Sequence, residues 1–269
     1  LREVNRLPMS ERLDFPGEER DDSVSKVRAI NLLDQPVLLI EGEEITGARQ
    51  DRVVNSTILV APHTEIQIPV SCSERRRWKK VSEQFADSGV VAPPSVRATK
   101  SASVDRALRR GEERISDQGA VWRAIDDVAR RAGTLQTTGA MRDVFRGRNK
   151  DLRRIRAQFT MVEEQVGFLA IVNGEAVALD CVSSTAVCRS LFAKLIRSYA
   201  MEAILTGDSA EWDDVHATAR KFLYEFDACE ETMFAGVSLG NEYRYTCPGV
   251  IGSALIHNGQ LMHAALHRR

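Results

Sequence analysis

The sequence predicts an α+β fold. An antiparallel or mixed sheet is built from an N-terminal β unit and two Asn-Gly hairpins, and amphipathic helices pack on it. Three observations carry this. Short apolar runs punctuated by turns crowd residues 27–70, two later stretches each contain an Asn-Gly pair between apolar runs, and helical periodicity falls between these β regions. Parallel doubly wound folds alternate strand and helix regularly, which this chain does not. The expected organisation is a polar, acidic lead-in at 1–27 and one domain at 28–269. Within it, 28–73 is the β unit, 74–160 a basic and largely helical segment, and 161–269 a hairpin-helices-hairpin unit.

In chain order, Val27 to Leu32 alternates, Leu33-Asp-Gln-Pro36 reads as a turn, and Val37 to Ile40 reads as a buried strand. A polar loop follows, carrying Glu41, Glu43, Glu44, Gln50 and Arg52. Strands at Thr57–Val60 and Glu65–Val70 complete the unit. The tandem prolines of Ala92-Pro-Pro-Ser-Val-Arg97 predict an extended surface connection. Ser116 is placed to cap a helix running to Ala132, with Val121, Ile125 and Val128 on one face and Gly133 as its stop. A second helix is predicted over 139–158, with Arg142, Arg146, Lys150 and Arg153 on one side.

The first hairpin spans 166–180 around Asn173-Gly174 and the last spans 250–266 around Asn258-Gly259. Their alignment fits a weak internal duplication and fits equally two independent hairpins. Between them, helices are predicted at 185–205 and from a cap at Asp208 or Ser209, the latter burying Trp212, Val215, Ala219, Phe222 and Phe226. Lys194 and Arg197 lie on another face of the first, where they either reach a site or are solvated.

At 43% hydrophobic content the chain can bury an ordinary core, filled mainly by aliphatic side chains because aromatics make up only 6%. No apolar run approaches the roughly 18 to 20 residues of a membrane helix. The five cysteines are odd in number and lack a C-x-x-C pair, so they read as reduced thiols of a cytoplasmic protein. His257, His263 and His267 lack a ligand pattern for zinc and read as scattered strand histidines, so no metal is predicted. No cofactor is indicated by any motif. Net charge is −1, yet residues 75–156 hold 21 Lys+Arg against 10 Asp+Glu. That asymmetry implies an anionic partner, docking of the segment on the acidic remainder, or subunits meeting through opposite charges.

The loop and its surroundings supply the candidate site. A bend there would converge Glu43, Glu44 and Gln50 on Arg52, either as a structural ion pair or as a general base held by a cation. Cys72, beside Glu74 and three arginines, is either a cation-activated thiolate or a small core residue. Trp78 among five cations suits phosphate binding with base stacking, and suits equally a solvated basic turn.

The runs Gly47-Ala-Arg-Gln50-Asp-Arg52, Cys72-Ser-Glu74 to Trp78, Pro93-Pro-Ser-Val-Arg97, Ser116-Asp-Gln118 to Trp122 and Lys194 to Tyr199 resemble a bacterial domain family. It is named for association with ADP-ribosylglycohydrolases and rhodanese/phosphatase-superfamily proteins, and its hallmark is G-x-x-Q-x-R. The resemblance covers most of residues 28–205 and implies handling of ADP-ribose or another NAD-derived nucleotide. On that reading Glu43, Glu44, Gln50, Arg52 and Cys72 are the catalytic candidates. Gly47, Glu74, Trp78, Arg97 and Gln118 are the ligand-binding ones. The alternatives are a non-catalytic module using 75–156 to bind nucleic acid or an acidic protein, and a self-associating structural protein forming homo-oligomers.

Overall fold

The computed structural model describes residues 13–16, 24–77, 79–207 and 214–269. Its α+β architecture rests on two antiparallel sheets. The first sheet holds strands β1 (Lys26–Asn31), β6 (Thr64–Cys72), β4 (Arg52–Val54), β3 (Glu43–Gly47) and β7 (Phe85–Val91), in that spatial order. A short ladder of β2 (Val37–Leu39) and β5 (Ile58–Val60) lies apart from it. The second sheet runs β10 (Glu230–Ala235), β11 (Asn241–Thr246), β12 (Val250–His257), β13 (Gln260–Arg268), β9 (Glu175–Val182) and β8 (Gly167–Val172).

Both predicted hairpins form. Asn173 and Gly174, like Asn258 and Gly259, take positive φ, the geometry of a tight two-residue turn that asparagine and glycine tolerate. The ladders shift register at equivalent places, Ala170/Ile171 and Leu255/Ile256. Strands β9 and β13 pair side by side, which joins the two hairpins into one sheet.

Six helices are described, and several depart from the periodicity reading. The tandem prolines do not begin an extended connection. Pro93 is the N-cap and Pro94 the first residue of α1 (Pro94–Arg109). Proline suits that place because the first turn has no use for its missing N–H. The buried face of α1 includes Arg97, Lys100, Ser101 and Asp105, so its burial is invisible to an apolar-stripe search. Helix α2 (Gln118–Arg131) is capped by Asp117, which accepts from Ala120 N, and Ser116 instead contacts Ser71. The predicted 139–158 helix is two, α3 (Met141–Gly147) and α4 (Asn149–Arg156), broken at Arg148. Helix α5 (Thr185–Thr206) starts at its Ser184 cap and stops at Gly207, whose φ is positive. Helix α6 (Val215–Asp227) buries Phe222, but Val215 is exposed, and its cap is Asp214. The proposed caps Asp208 and Ser209, with Trp212, lie outside the described residues, as does most of the lead-in.

The polar loop is mostly strand as well. Glu43–Gly47 and Arg52–Val54 form a hairpin within the first sheet, with β3 also paired to β7. Alternation within β3 sends Glu43 and Glu44 to opposite faces. The reading of all five cysteines as reduced is also corrected, because Cys229 and Cys247 are bridged. The end of α6 and the β11–β12 turn bring them together, a meeting that no sequence spacing announced. Cys72, Cys181 and Cys188 are not part of a disulfide. No helix among the described residues is long and apolar enough to cross a membrane.

Candidate functional site

Helix α1 carries its cations into a buried ionic network between the sheets. Arg97 donates from Nη1 and Nη2 to the two carboxylate oxygens of Asp180 on β9, at 2.8 and 2.6 Å. Its Nε donates to Glu41 Oε1 at 3.0 Å. Lys100, one turn on, donates to Glu41 Oε2 and to the Asn55 carbonyl, both at 2.9 Å. Strand β13 adds two histidines spaced four apart, hence on one face. His267 Nε2 lies 2.7 Å from Glu41 and His263 Nε2 lies 2.9 Å from Asp180. Tyr199 of α5 donates its hydroxyl to Asp180, and Thr57 lies 2.7 Å from His263 Nδ1. Gly42 permits this packing, since a Cβ there would sit 3.0 Å from three atoms of the Arg97 side chain.

Charge balance decides the protonation states. Burial opposes ionisation of Glu41, but Lys100, Arg97 and His267 hold it well below the usual carboxylate range. Asp180 is likewise depressed, against its burial, by Arg97 and His263. Burial and Arg97 lower His267, which favours a neutral ring donating through Nε2. Burial and the Asp180 charge push the Tyr199 hydroxyl well above its ordinary value, so it stays a donor. Glu41, Arg97, Lys100, Asp180, His263 and His267 are each no more than 1% exposed. Bidentate arginine and shared carboxylates meet the requirement that buried charges be paired and fully hydrogen-bonded.

The residues singled out from sequence divide among separate settings. Glu41 and Arg97 belong to this network. Glu43 turns away from it, accepting from the Ile40 amide at 3.0 Å and from Lys194 of α5 at 2.9 Å. Lys194 also pairs with Asp87 at 2.7 Å, so it is an inward tie rather than a solvated lysine. Glu44, Gln50, Arg52, Cys72, Glu74 and Gln118 gather at the far end of the first sheet. Cys72 Sγ donates to Gln50 Oε1 at 3.3 Å, and Gln50 Nε2 donates to the Glu74 carbonyl at 3.0 Å. Arg52 Nη1 donates to the Gln50 carbonyl at 3.1 Å. Gln118 pairs with both backbone groups of Cys72, accepting at 2.7 Å and donating at 2.9 Å. Gly47 has φ +141, and a Cβ there would lie 2.4 Å from the Gln84 carbonyl. The G-x-x-Q-x-R motif thus closes the β3–β4 turn and fastens it to β6. Trp78 lies outside the described residues.

Beside the motif, Glu44 accepts from Ser73 Oγ at 2.7 Å, and Arg77 bridges Asp51 and Glu74 at 2.9 and 2.6 Å. Arg142 reaches Asp51 at 3.0 Å. Burial and the Asp51 charge raise Glu44 to about 8, so this carboxyl holds a proton at neutral pH. Glu44, Asp51 and Glu74 are all fully buried. The highlighted residues therefore converge, but into a packed cluster.

Concave surface lies elsewhere, and one hollow follows the α4–α5 seam. A hollow of about 290 Å³ is lined by Arg156, Phe159, Thr160, Arg189 and Phe192 among others. Arg156 stacks over Phe192 with 5.3 Å to the ring centroid, and Arg197 lies 5.9 Å from the Phe145 centroid. Burial and the Arg153 charge depress the Arg197 pKa, so these two guanidiniums are close neighbours. None of Arg153, Arg156, Arg189 and Arg197 has a carboxylate partner among the described residues. The sequence offered Arg153 as one of a basic helix face and Arg197 as either reaching a site or solvated.

Asp180, Lys100, Tyr199, His263 and His267 escaped the sequence reading as network members. The available signals were a lone aspartate ending an apolar hairpin strand and two histidines at even spacing on another. Among the described residues, no group of three His, Cys, Asp or Glu side chains is arranged to hold a metal ion.

A family model described as the ARG and Rhodanese-Phosphatase-superfamily-associated Protein domain, ARPP-1, matches residues 10–267. The chain belongs to that family. No curated protein and no solved structure matches it.

Proposed function

We propose that this chain binds an ADP-ribose-like or other NAD-derived nucleotide, with its phosphates on the arginine seam of α4 and α5. The observation that carries the reading is an aromatic-lined hollow flanked by Arg156 and Arg189, with Arg153 and Arg197 neighbouring each other on the same two helices and none of the four paired to a carboxylate among the described residues. Phosphate oxygens would supply the missing anions through bidentate contacts, while Phe159 offers a face for the base. ADP-ribosylglycohydrolase association in the family name points to the same ligand class. The acid–base groups are sealed, Glu41, Glu44 and Asp180 being at most 1% exposed. That favours sensing over general-base chemistry by a glutamate of the β3 hairpin, and it leaves Arg52 as a fastener of its turn. Such a ligand suits a cytoplasmic setting.

Nucleic-acid binding by the whole 75–156 segment draws less support. Arg77, Arg97, Lys100, Arg109, Arg114 and Arg142 of that segment pair with carboxylates outside it. Thermal unfolding in the presence of ADP-ribose, NAD and AMP tests the proposal. ADP-ribose should raise the melting temperature, and Arg189→Ala should abolish the rise without lowering the melting temperature of the free protein. No shift with any of the three at millimolar concentration refutes it.

A further inference from the structure

Among the described residues, strand β8, Gly-Phe-Leu-Ala-Ile-Val, is the open edge of the second sheet, pairing only with β9. It carries no charge and no proline, the devices that ordinarily blunt an exposed edge. The Val182 amide donates to the Val166 carbonyl, which sets Val166, Phe168 and Ala170 toward β9. Alternation then turns the backbone groups of Gly167, Leu169 and Ile171 outward. The outward Gly167 carbonyl is taken by Gln165 Nε2 at 2.9 Å, as this alternation requires.

This edge does not face open solvent. All six residues of β8 line an apolar hollow of about 450 Å³, walled by Ile196, Tyr199, Ala200 and Ala203 of α5 and by Val215. A slot that presents alternating N–H and C=O groups between apolar walls is complementary to an extended peptide. At one end it meets Phe159, which also lines the neighbouring hollow with Arg156 and Arg189. We propose that β8 accepts an added strand from a partner polypeptide, an extended apolar segment bearing an acidic residue at the end nearest Arg156. Backbone pairing to Leu169 and Ile171 supplies the register, and the two arginines select the acidic flank. The acidic flank would share Phe159, Arg156 and Arg189 with the nucleotide reading, whereas backbone pairing to Leu169 and Ile171 in the slot does not rest on it.

An array of blocked extended peptides, alternating apolar residues with Asp at either end or absent, tests the proposal on the full chain by fluorescence anisotropy. The best binder should slow amide exchange at Leu169 and Ile171. N-methylation of its pairing amides should weaken it by about tenfold or more, the equivalent of one or two backbone hydrogen bonds. Leu169→Pro removes an outward N–H without touching the β9 ladder, and Ala203→Trp fills the slot from its wall. Both should abolish binding, and circular dichroism shows whether each is folded. Absence of binding across the array, equal binding of the N-methylated peptide, or binding that persists in the folded variants overturns the proposal. A concentration-dependent dimer that Leu169→Pro dissociates would assign the edge to a second copy of the chain and overturn the choice of partner.

Discussion

Replacing Asp180 with asparagine tests whether the buried ionic network holds the two sheets together. The side chain accepts two hydrogen bonds from Arg97, one from His263 and one from Tyr199, all in the interior. An asparagine keeps the shape but loses the charge, and its NH2 group cannot accept from a guanidinium. Arg97 is then left fully buried with Glu41 as its one carboxylate. Removing one partner of a buried pair costs about 3–5 kcal/mol, because the surviving charge is uncompensated. Urea unfolding followed by far-UV circular dichroism should show a loss of about 4 kcal/mol with an unchanged denaturant slope. The melting temperature should fall by about 10 °C for a chain of this size. The double variant Arg97→Met/Asp180→Leu should recover part of the loss, since apolar replacement removes both desolvation costs. A loss under about 1 kcal/mol for Asp180→Asn, or exact additivity of the single variants, would refute the reasoning.

Glu44 gives a pH prediction. Its folded pKa of about 8 lies above the ordinary 4.5, so between those values the folded state holds a proton that the unfolded state has released. Stability should therefore fall as pH rises through that window, and Glu44→Gln should flatten the fall; parallel pH profiles for the two proteins in chemical denaturation would show the assignment to be mistaken. Gly47→Ala should destabilise by about 2 kcal/mol or more, through both positive φ and collision with the Gln84 carbonyl. Gly133→Ala, at φ +63 with open space around it, should lose only about 1 kcal/mol, so equal losses in denaturant titrations would contradict the steric argument. Gln118→Ala removes both hydrogen bonds to the Cys72 backbone and should cost about 1–3 kcal/mol, with faster amide exchange at Cys72 as the local sign.

The fold was legible where side-chain pattern and backbone geometry agree. Asn173-Gly174 and Asn258-Gly259 specify their turns locally, and the apolar periodicity of α5 marks its packed face. The same approach failed at α1, whose inward side holds Arg97 and Lys100 and whose first turn begins with two prolines. Apolar periodicity reports burial in hydrocarbon, and α1 is buried in a polar network. Glu43–Gly47 was unreadable as a strand for a related reason, since its carboxylates are buried against Lys194 and Ser73 rather than turned to water. Site residues suffered more. Glu41 stood out as a charge beside an apolar run and Arg97 through the family resemblance, but Asp180, His263 and His267 become partners only when β9 and β13 pair.

The charge asymmetry of the chain also takes on a physical meaning. A segment with twice as many cations as anions first suggests an external anion. Yet its deepest cations, Arg97 and Lys100, neutralise Glu41 and Asp180 from the flanking β regions, and Arg142 and Arg77 meet Asp51 at the sheet end. Charges so placed cannot exchange partners cheaply, because each alternative packing strands an ion in the interior. The ionic network can therefore act as a register key, fixing how the helical segment sits between two sheets whose apolar faces alone would tolerate sliding. Several cations stand outside this key, among them Arg153 and Arg156 of α4 and Arg189 and Arg197 of α5, which have no carboxylate partner among the described residues. On the proposed reading, what would set the α4–α5 seam apart is the aromatic-lined hollow beside Arg156 and Arg189, because absence of a carboxylate partner alone does not.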